Sequence, residues 1–122
     1  MTGPIPAARI LLKRAYEPAA PGDGTRILVE RLWPRGVTKA EADLAGWERD
    51  IAPSPGLRKW YGHVPTRWEE FRARYREELQ VQAPALEKLR GIARAGPLTL
   101  VLAARDPEHS SAAVLREMLL GG

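Results

Sequence analysis

The chain has 122 residues, 44% hydrophobic and 28% charged, a balance typical of one soluble globular domain spanning residues 1–122. It contains no cysteine, which excludes disulfides, thiolate catalysis, zinc–thiolate sites and iron–sulfur clusters. No apolar run approaches the roughly 20 residues of a membrane span, and the prolines and charges near the N-terminus do not fit a signal peptide, so we expect a cytoplasmic protein without membrane contact.

The charge balance favours anionic partners. Lysine and arginine outnumber aspartate and glutamate by 19 to 15, which gives a net charge of +4 and a pI of about 9.8. Most of these cations are arginines, whose planar guanidinium suits phosphate and carboxylate groups. The excess is compatible with nucleic-acid binding, but solvated helix faces would account for it as well.

Two strands are predicted in the N-terminal part of the chain. Arg9–Arg14 and Arg26–Trp33 are short apolar runs with β-branched residues, and the Pro- and Gly-rich segment Glu17–Gly24 separates them. Pro34 and Gly36 end the second strand. The loop length leaves both a hairpin and a parallel arrangement open.

Short helical segments follow the second strand. Thr38 and Glu41 have the spacing of a capping box, which predicts a helix over Lys39–Leu44. We expect a further helical turn over Trp47–Ile51 and a short helix over Leu57–Tyr61.

The clearest helix is expected to begin at Thr66, with Thr66 as its cap and Glu69 three residues later. Apolar side chains recur at helical spacing along it: Trp68, Phe71, Tyr75 and Leu79. This stripe predicts one buried face. Tyr75 therefore belongs either to the core or, through its phenol, to the edge of a pocket.

The C-terminal third predicts a helix, a strand and a helix in turn. The helices are expected over Pro84–Arg94 and Glu108–Leu119, and the apolar run Leu98–Ala104 is typical of a strand buried on both faces. We therefore predict an α/β fold: a small single-domain sandwich whose short, largely parallel sheet is flanked by helices, with the last strand central.

Polar residues follow two of the predicted strands. Glu30–Gly36 closes the second strand, and Ala104–Ser110 follows the last one. Ligands of open α/β sheets bind beyond the carboxyl ends of the strands, so the two clusters converge if these strands are neighbours. Ser110 and the first amides of the last helix could then hold an anion.

Seven candidate site residues come from these clusters and their surroundings. We predict Arg31, Trp33, Arg35 and Tyr75 as substrate contacts, and Asp106, His109 and His63 as catalytic residues. Structural alternatives stay open, because Asp106 before Pro107 is a common helix N-cap and Trp33 also suits a core.

No cofactor is identified from the sequence. His63, His109 and Asp106 could form a facial metal triad, but nothing in their spacing requires it, and we predict no metal. The segment Gly22–Gly24 lacks the later glycine and the strand–helix context of a phosphate loop.

The assembled motifs resemble a known family. The string Arg31–Gly36, the spacing Gly62-His63-x-Pro65-x-x-Trp68-x-x-Phe71 and the segment Ala103–Asp106 with His109 follow the pattern of the YeaO-like proteins, domain-of-unknown-function family 488. The similarity covers about Arg9–Leu119. It implies a small single-domain α/β protein without an assigned reaction, and it points to Arg31, Trp33, Arg35, His63, Tyr75, Asp106 and His109.

The chain departs from the family pattern at three places. Glu30 and Val64 stand where Asp is common, and Ser110–Ser111 stands where Asn is typical. The missing Asp beside His63 would have been a carboxylate able to orient a base or hold a metal.

Three hypotheses for function follow. The first is an enzyme acting on a small anionic substrate, nucleotide-like or phosphorylated. The alternative is a nucleic-acid-binding or regulatory module without catalysis, although no nucleic-acid-binding motif is present. The third is a partner-binding or oligomeric protein with an exposed aromatic patch of Trp47, Trp60 and Tyr61. The oligomeric state is not predicted.

Overall fold

A parallel four-stranded sheet lies at the centre of the computed structural model, which describes residues 4–121. Its strands are β1 (Ile10–Arg14), β2 (Thr25–Leu28), β3 (Gly46–Trp47) and β4 (Leu98–Leu102), in the order β1-β4-β2-β3. All five residues of β4 are buried. The predicted α/β fold with a parallel sheet and a central last strand is confirmed. The predicted domain spans residues 1–122, and its residues 1–3 and 122 lie outside the described residues.

Most of the helical mass covers one face of this sheet. The helices are α1 (Lys39–Ala42), α2 (Pro55–Tyr61), α3 (Trp68–Gln80), α4 (Ala83–Ala95) and α5 (Ser111–Leu119). α3 and α4 pack on α5, while α4 and α5 pack on β4. The stripe of Phe71, Tyr75 and Leu79 is buried in the main core, as predicted. Burial of this stripe is what fixes α3 against the sheet.

The other face of the sheet is covered by the long β2–β3 connection. Leu28, Val101 and Ala15 form a small core there, and Trp33 and Trp47 pack against it. The capping box that opens α1 is confirmed, with Glu41 N–H donating to Thr38 Oγ1 at 3.1 Å. The tryptophans thus close a face that no long helix covers.

Several predicted boundaries were wrong. β2 ends at Leu28, five residues before Trp33, and β4 ends at Leu102. The expected helical turn over Trp47–Ile51 begins instead with β3, because Trp47 pairs with Leu28 and Glu48 N–H donates to the Leu28 carbonyl. Only Arg49–Ile51 forms a turn, of the 3₁₀ type.

Two helix starts were also wrong. Thr66 lies inside a 3₁₀ turn, Pro65–Arg67, and α3 begins at Trp68 without a side-chain cap. A capping residue needs extended backbone, which Thr66 cannot have inside a turn. In the same way, a 3₁₀ turn over Pro107–His109 precedes α5, so this helix begins three residues later than expected.

The parallel arrangement decides where a site can form. All four strands end at the same edge of the sheet, where the chain continues into Tyr16, Glu30–Arg35 and Ala103–Ala104. Because β2 and β4 stop earlier than the apolar pattern suggests, these residues are released from the sheet. They become available to line a cavity at the edge where ligands of such folds bind.

Candidate functional site

A cavity of about 400 Å³ lies at the carboxyl ends of the strands. Its walls come from the residues after β1, β2 and β4, from α2 and the turn that follows it, and from the beginning of α5. This volume falls in the range of small-molecule sites. The two polar segments that follow β2 and β4 both contribute, Glu30–Arg35 from the first and Ala104 and Ser110 from the second.

Three arginines line the cavity among the described residues: Arg31, Arg35 and Arg58. Arg35 and Arg58 are exposed, and neither side chain has a hydrogen-bond or ion-pair partner within residues 4–121. The guanidinium of Arg31 donates to the carbonyls of Ala52 (3.3 Å) and Pro53 (3.4 Å) and lies 3.9 Å from Asp50 Oδ1, while its buried Nε has no acceptor. The wall therefore presents guanidinium donors that the protein itself does not satisfy.

Glu30 supplies the one carboxylate among the described lining residues. Its Oε2 accepts a hydrogen bond from the Ala103 amide at 2.8 Å, and its backbone carbonyl accepts one from Trp47 Nε1 at 2.6 Å. These bonds tie the end of β2 to the ends of β4 and β3. The cavity wall is therefore cationic on balance, with three guanidinium groups against one carboxylate.

The beginning of α5 forms another part of the wall through Ser110 and Ser111. Ser110 is buried, and its hydroxyl donates to the Pro107 carbonyl at 2.7 Å. The first amides of a helix have no intrahelical acceptor, and the helix dipole makes that end electropositive. The electropositive start of α5 therefore borders the same wall.

His63 lines the cavity from the turn after α2. Gly62 (φ 50°) and His63 (φ 58°) both adopt left-handed backbone, which is uncommon for a residue with a side chain. The imidazole is exposed, and its centroid lies 5.5 Å from that of the Tyr61 ring. The structure therefore brings His63 to the same cavity as Arg31, Trp33 and Arg35.

Trp33 is a fixed part of the wall. Its Nε1 donates to the Val37 carbonyl at 2.7 Å, and its ring packs edge-on against Trp47 with centroids 5.6 Å apart. The residue thus packs on the small core and lines the cavity at once.

Asp106 and His109 pair with each other and do not line the cavity. Their side chains are 63% and 57% exposed, and His109 Nδ1 lies 2.8 Å from Asp106 Oδ2. Since a carboxylate only accepts, Nδ1 carries the hydrogen of this bond. The bond lowers the pKa of Asp106. Asp106 also accepts from the Glu108 amide at 3.1 Å. This bond is the N-cap role that was the structural alternative to a catalytic one.

Tyr75 is placed in the core and does not line the cavity. Its hydroxyl donates to the Ile51 carbonyl at 2.7 Å, and its side chain is almost fully buried. Burial raises the pKa of this phenol far above its usual value, and the nearby carboxylates of Glu30 and Glu78 raise it further. Tyr75 is therefore a neutral donor that fixes the segment before Ala52.

Arg58, Tyr16 and Tyr61 line the cavity but were absent from the predicted site. Arg58 belongs to the short helix α2, and neither of the two strand-end clusters contains it. Tyr61 is buried, and its hydroxyl donates to the His109 carbonyl at 3.0 Å. Tyr16 follows β1, and no motif marks it.

The expected exposed aromatic patch was wrong. Tyr61 is buried, while Trp47 and Trp60 are half-buried and pack against the two cores. Each ring is used inside the fold, because buried aromatic area stabilises the native state.

Within residues 4–121, no group of three or more His, Asp or Glu side chains is arranged to hold a metal ion. In the same part of the chain, no helix combines the length and apolarity needed to cross a membrane.

The fold and the cavity define a class: a parallel α/β protein with a cationic cavity at the carboxyl edge of its sheet. Residues 9–121 match the family model described as "Inactive DUF488-N3 subclade". The chain is 44% identical to the uncharacterized protein Rv3073c of Mycobacterium tuberculosis over 113 residues, which cover 93% of this chain and 95% of that protein. It is 40% identical to the uncharacterized protein YeaO of Escherichia coli over 110 residues, 90% and 96% of the two chains.

These matches span nearly the whole sequence, and the chain belongs to the YeaO-like proteins of the DUF488 family. The resemblance drawn from the motifs is confirmed. No solved structure gives a significant match to the chain.

Proposed function

We propose that this protein binds a small phosphate-bearing anion in the cavity at the carboxyl edge of its sheet, without catalysing a reaction on it. The observation that carries the proposal is the unsatisfied cationic wall. Arg35 and Arg58 have no partner within the described chain, and Arg31 keeps a buried Nε without an acceptor. Buried donors in native structures are usually satisfied, so a missing acceptor calls for a ligand or an ordered water.

Arginine side chains and the first amides of a helix both suit the binding of phosphate. The guanidinium fork donates two parallel hydrogen bonds to phosphate oxygens, and helix amides add donors whose dipole favours negative charge. Glu30, the carboxylate among the described lining residues, already accepts from the Ala103 amide. The balance of charge therefore favours an anion over a cation.

Binding without catalysis is supported by the acid–imidazole pair. Proton transfer needs a group within hydrogen-bond reach of the substrate, and Asp106 and His109 bond to each other outside the cavity wall. The description of the matched family as an inactive subclade points the same way. The catalytic roles of Asp106, His109 and His63 stay predictions, and turnover of a bound phosphate ester that is lost on substitution of these residues would establish them.

The first experiment is calorimetric titration with inorganic phosphate and ribose 5-phosphate. Arg58→Gln and Arg35→Gln should each weaken binding about tenfold or more, since a hydrogen bond to a charged group is worth about 1.5–3 kcal/mol. Arg49→Gln is the matched control, because Arg49 is an exposed arginine that stacks on Trp47 and does not line the cavity.

Equal losses of affinity in all three variants would mean that only net charge matters, and the proposed binding site would be wrong. Binding of single-stranded nucleic acid that weakens steeply with salt, in the absence of ribose 5-phosphate binding, would favour the nucleic-acid alternative.

A further inference from the structure

The cavity is lined by aromatic side chains as well as by arginines, and this combination bears on the class of ligand. Trp33 packs on the small core formed by Ala15 and its neighbours, and Tyr16 follows Ala15 directly. Both aromatic residues line the cavity. Trp33 therefore borders the cavity from the face of the sheet that the β2–β3 connection covers, and Tyr16 borders it from the turn after β1.

Two of the three lining arginines, Arg31 and Arg58, lie toward the main core, while Arg35 follows Trp33 in the β2–β3 connection. Arg31 reaches the carbonyls of Ala52 and Pro53, which follow Ile51 of the main core. Arg58 belongs to α2, whose residue Leu57 packs in that same core. α5 begins on this side too, since it packs on α3 and α4. A ligand that contacts these cations as well as the rings of Tyr16 and Trp33 must combine a negative charge with a planar group.

The aromatic side chains are held in place but keep surface toward the cavity. The Arg14 guanidinium lies 5.0 Å from the centroid of the Tyr16 ring, and Tyr16 is 48% exposed. Trp33 is fixed through its bond to Val37. Rings held in this way lose little conformational freedom when a planar group stacks on them.

The cavity is also too large for phosphate alone. Its volume of about 400 Å³ is within the range that accommodates drug-sized ligands. A free phosphate bound to the arginines would leave the rings of Tyr16 and Trp33 uncovered.

We propose that the ligand is a phosphate monoester carrying a planar heterocycle, the chemical class of the nucleoside 5′-monophosphates. The phosphate binds near Arg58 and the start of α5, and the heterocycle lies against Tyr16 and Trp33. This inference rests on the proposed function, because it adds a second group to the same phosphate-binding site.

The test compares adenosine 5′-monophosphate with ribose 5-phosphate by titration calorimetry on the full chain. The two probes share the sugar phosphate and differ in the heterocycle. Stacking of a base on aromatic side chains should make the nucleotide about tenfold tighter or more. Equal affinity for the two probes would overturn the inference and leave the proposed function intact, whereas binding of neither would overturn both.

Substitution of Tyr16 separates stacking from a general effect on the fold. Tyr16→Ala should bring the ratio of the two affinities close to one, while Tyr16→Phe, which keeps the ring, should preserve the ratio of the unmodified protein. An unchanged ratio in Tyr16→Ala would contradict stacking of the heterocycle on Tyr16. Tighter binding of a short single-stranded oligonucleotide than of the mononucleotide would also overturn it, because the small-molecule class would then be wrong.

Discussion

The carboxylate of Glu30 should oppose anion binding in the cavity, and Glu30→Gln isolates this effect. Glutamine still offers a carbonyl oxygen to the Ala103 amide, so the bond at 2.8 Å between the two strand ends can be kept. The substitution therefore removes one negative charge from the wall with little change in packing. We expect phosphate to bind more tightly to this variant than to the unmodified protein.

The size of the gain follows from the dimensions of the cavity. A sphere of 400 Å³ is about 9 Å across, so a phosphate bound on the side away from Glu30 would lie about 8 Å from its carboxylate. One charge pair at about 8 Å and an effective dielectric constant of about 20 repels by about 2 kcal/mol. Screening at about 0.15 M salt reduces this to about 0.8 kcal/mol, a gain of about fourfold in affinity, and at about 0.01 M salt the gain is about 15-fold.

Titration calorimetry with inorganic phosphate at these two salt concentrations measures both gains. Glu87→Gln is the control, because Glu87 is an exposed residue of α4 that pairs with Arg90 and does not line the cavity. It changes the net charge equally but should change phosphate affinity by less than about twofold. Equal effects of the two variants, or weaker binding to Glu30→Gln, would refute the reasoning.

Two further predictions concern stability. Asp23 is buried and accepts from Lys13, from Arg26 at 2.7 Å and from the Ala20 amide. Asp23→Asn should therefore cost about 3–5 kcal/mol in urea unfolding, since it leaves buried cations unpaired, and a loss below about 1 kcal/mol would contradict this. Burial alone would raise the pKa of the Asp23 carboxyl, but its hydrogen bonds lower that pKa overall. The difference in unfolding free energy between Asp23→Asn and the unmodified protein should therefore shrink as the pH falls below about 4. Tyr75→Phe should cost about 1–2 kcal/mol, because the Ile51 carbonyl loses its donor, and an unchanged unfolding midpoint would count against that role.

The sheet was predictable because its signals are local. Leu98–Leu102 is apolar throughout, and only a central strand buries all of its side chains on two faces. The strand ends were not predictable in the same way. β2 is limited to Leu28 by its pairing with β3 and β4, and those partners come from distant parts of the chain.

The site was predictable in part for a related physical reason. Arg31, Trp33 and Arg35 follow a strand, and the carboxyl ends of parallel strands meet at one edge. Asp106 and His109 stand three residues apart in a 3₁₀ turn, where a local hydrogen bond satisfies them without the cavity. Arg58 belongs to a short helix whose orientation depends on tertiary packing, so its place in the wall was not visible in the sequence.

The central claim is that the arginine wall and the start of α5 form one phosphate-binding site. Titration of the ¹⁵N-labelled protein with inorganic phosphate, followed by amide NMR spectra, tests it most directly. The account predicts that the largest shift changes occur at the amides of Ser111 and Ala112 and at the Nε–H groups of Arg35 and Arg58. Changes confined to exposed side chains of α3, such as Arg74, with none at α5, would contradict it.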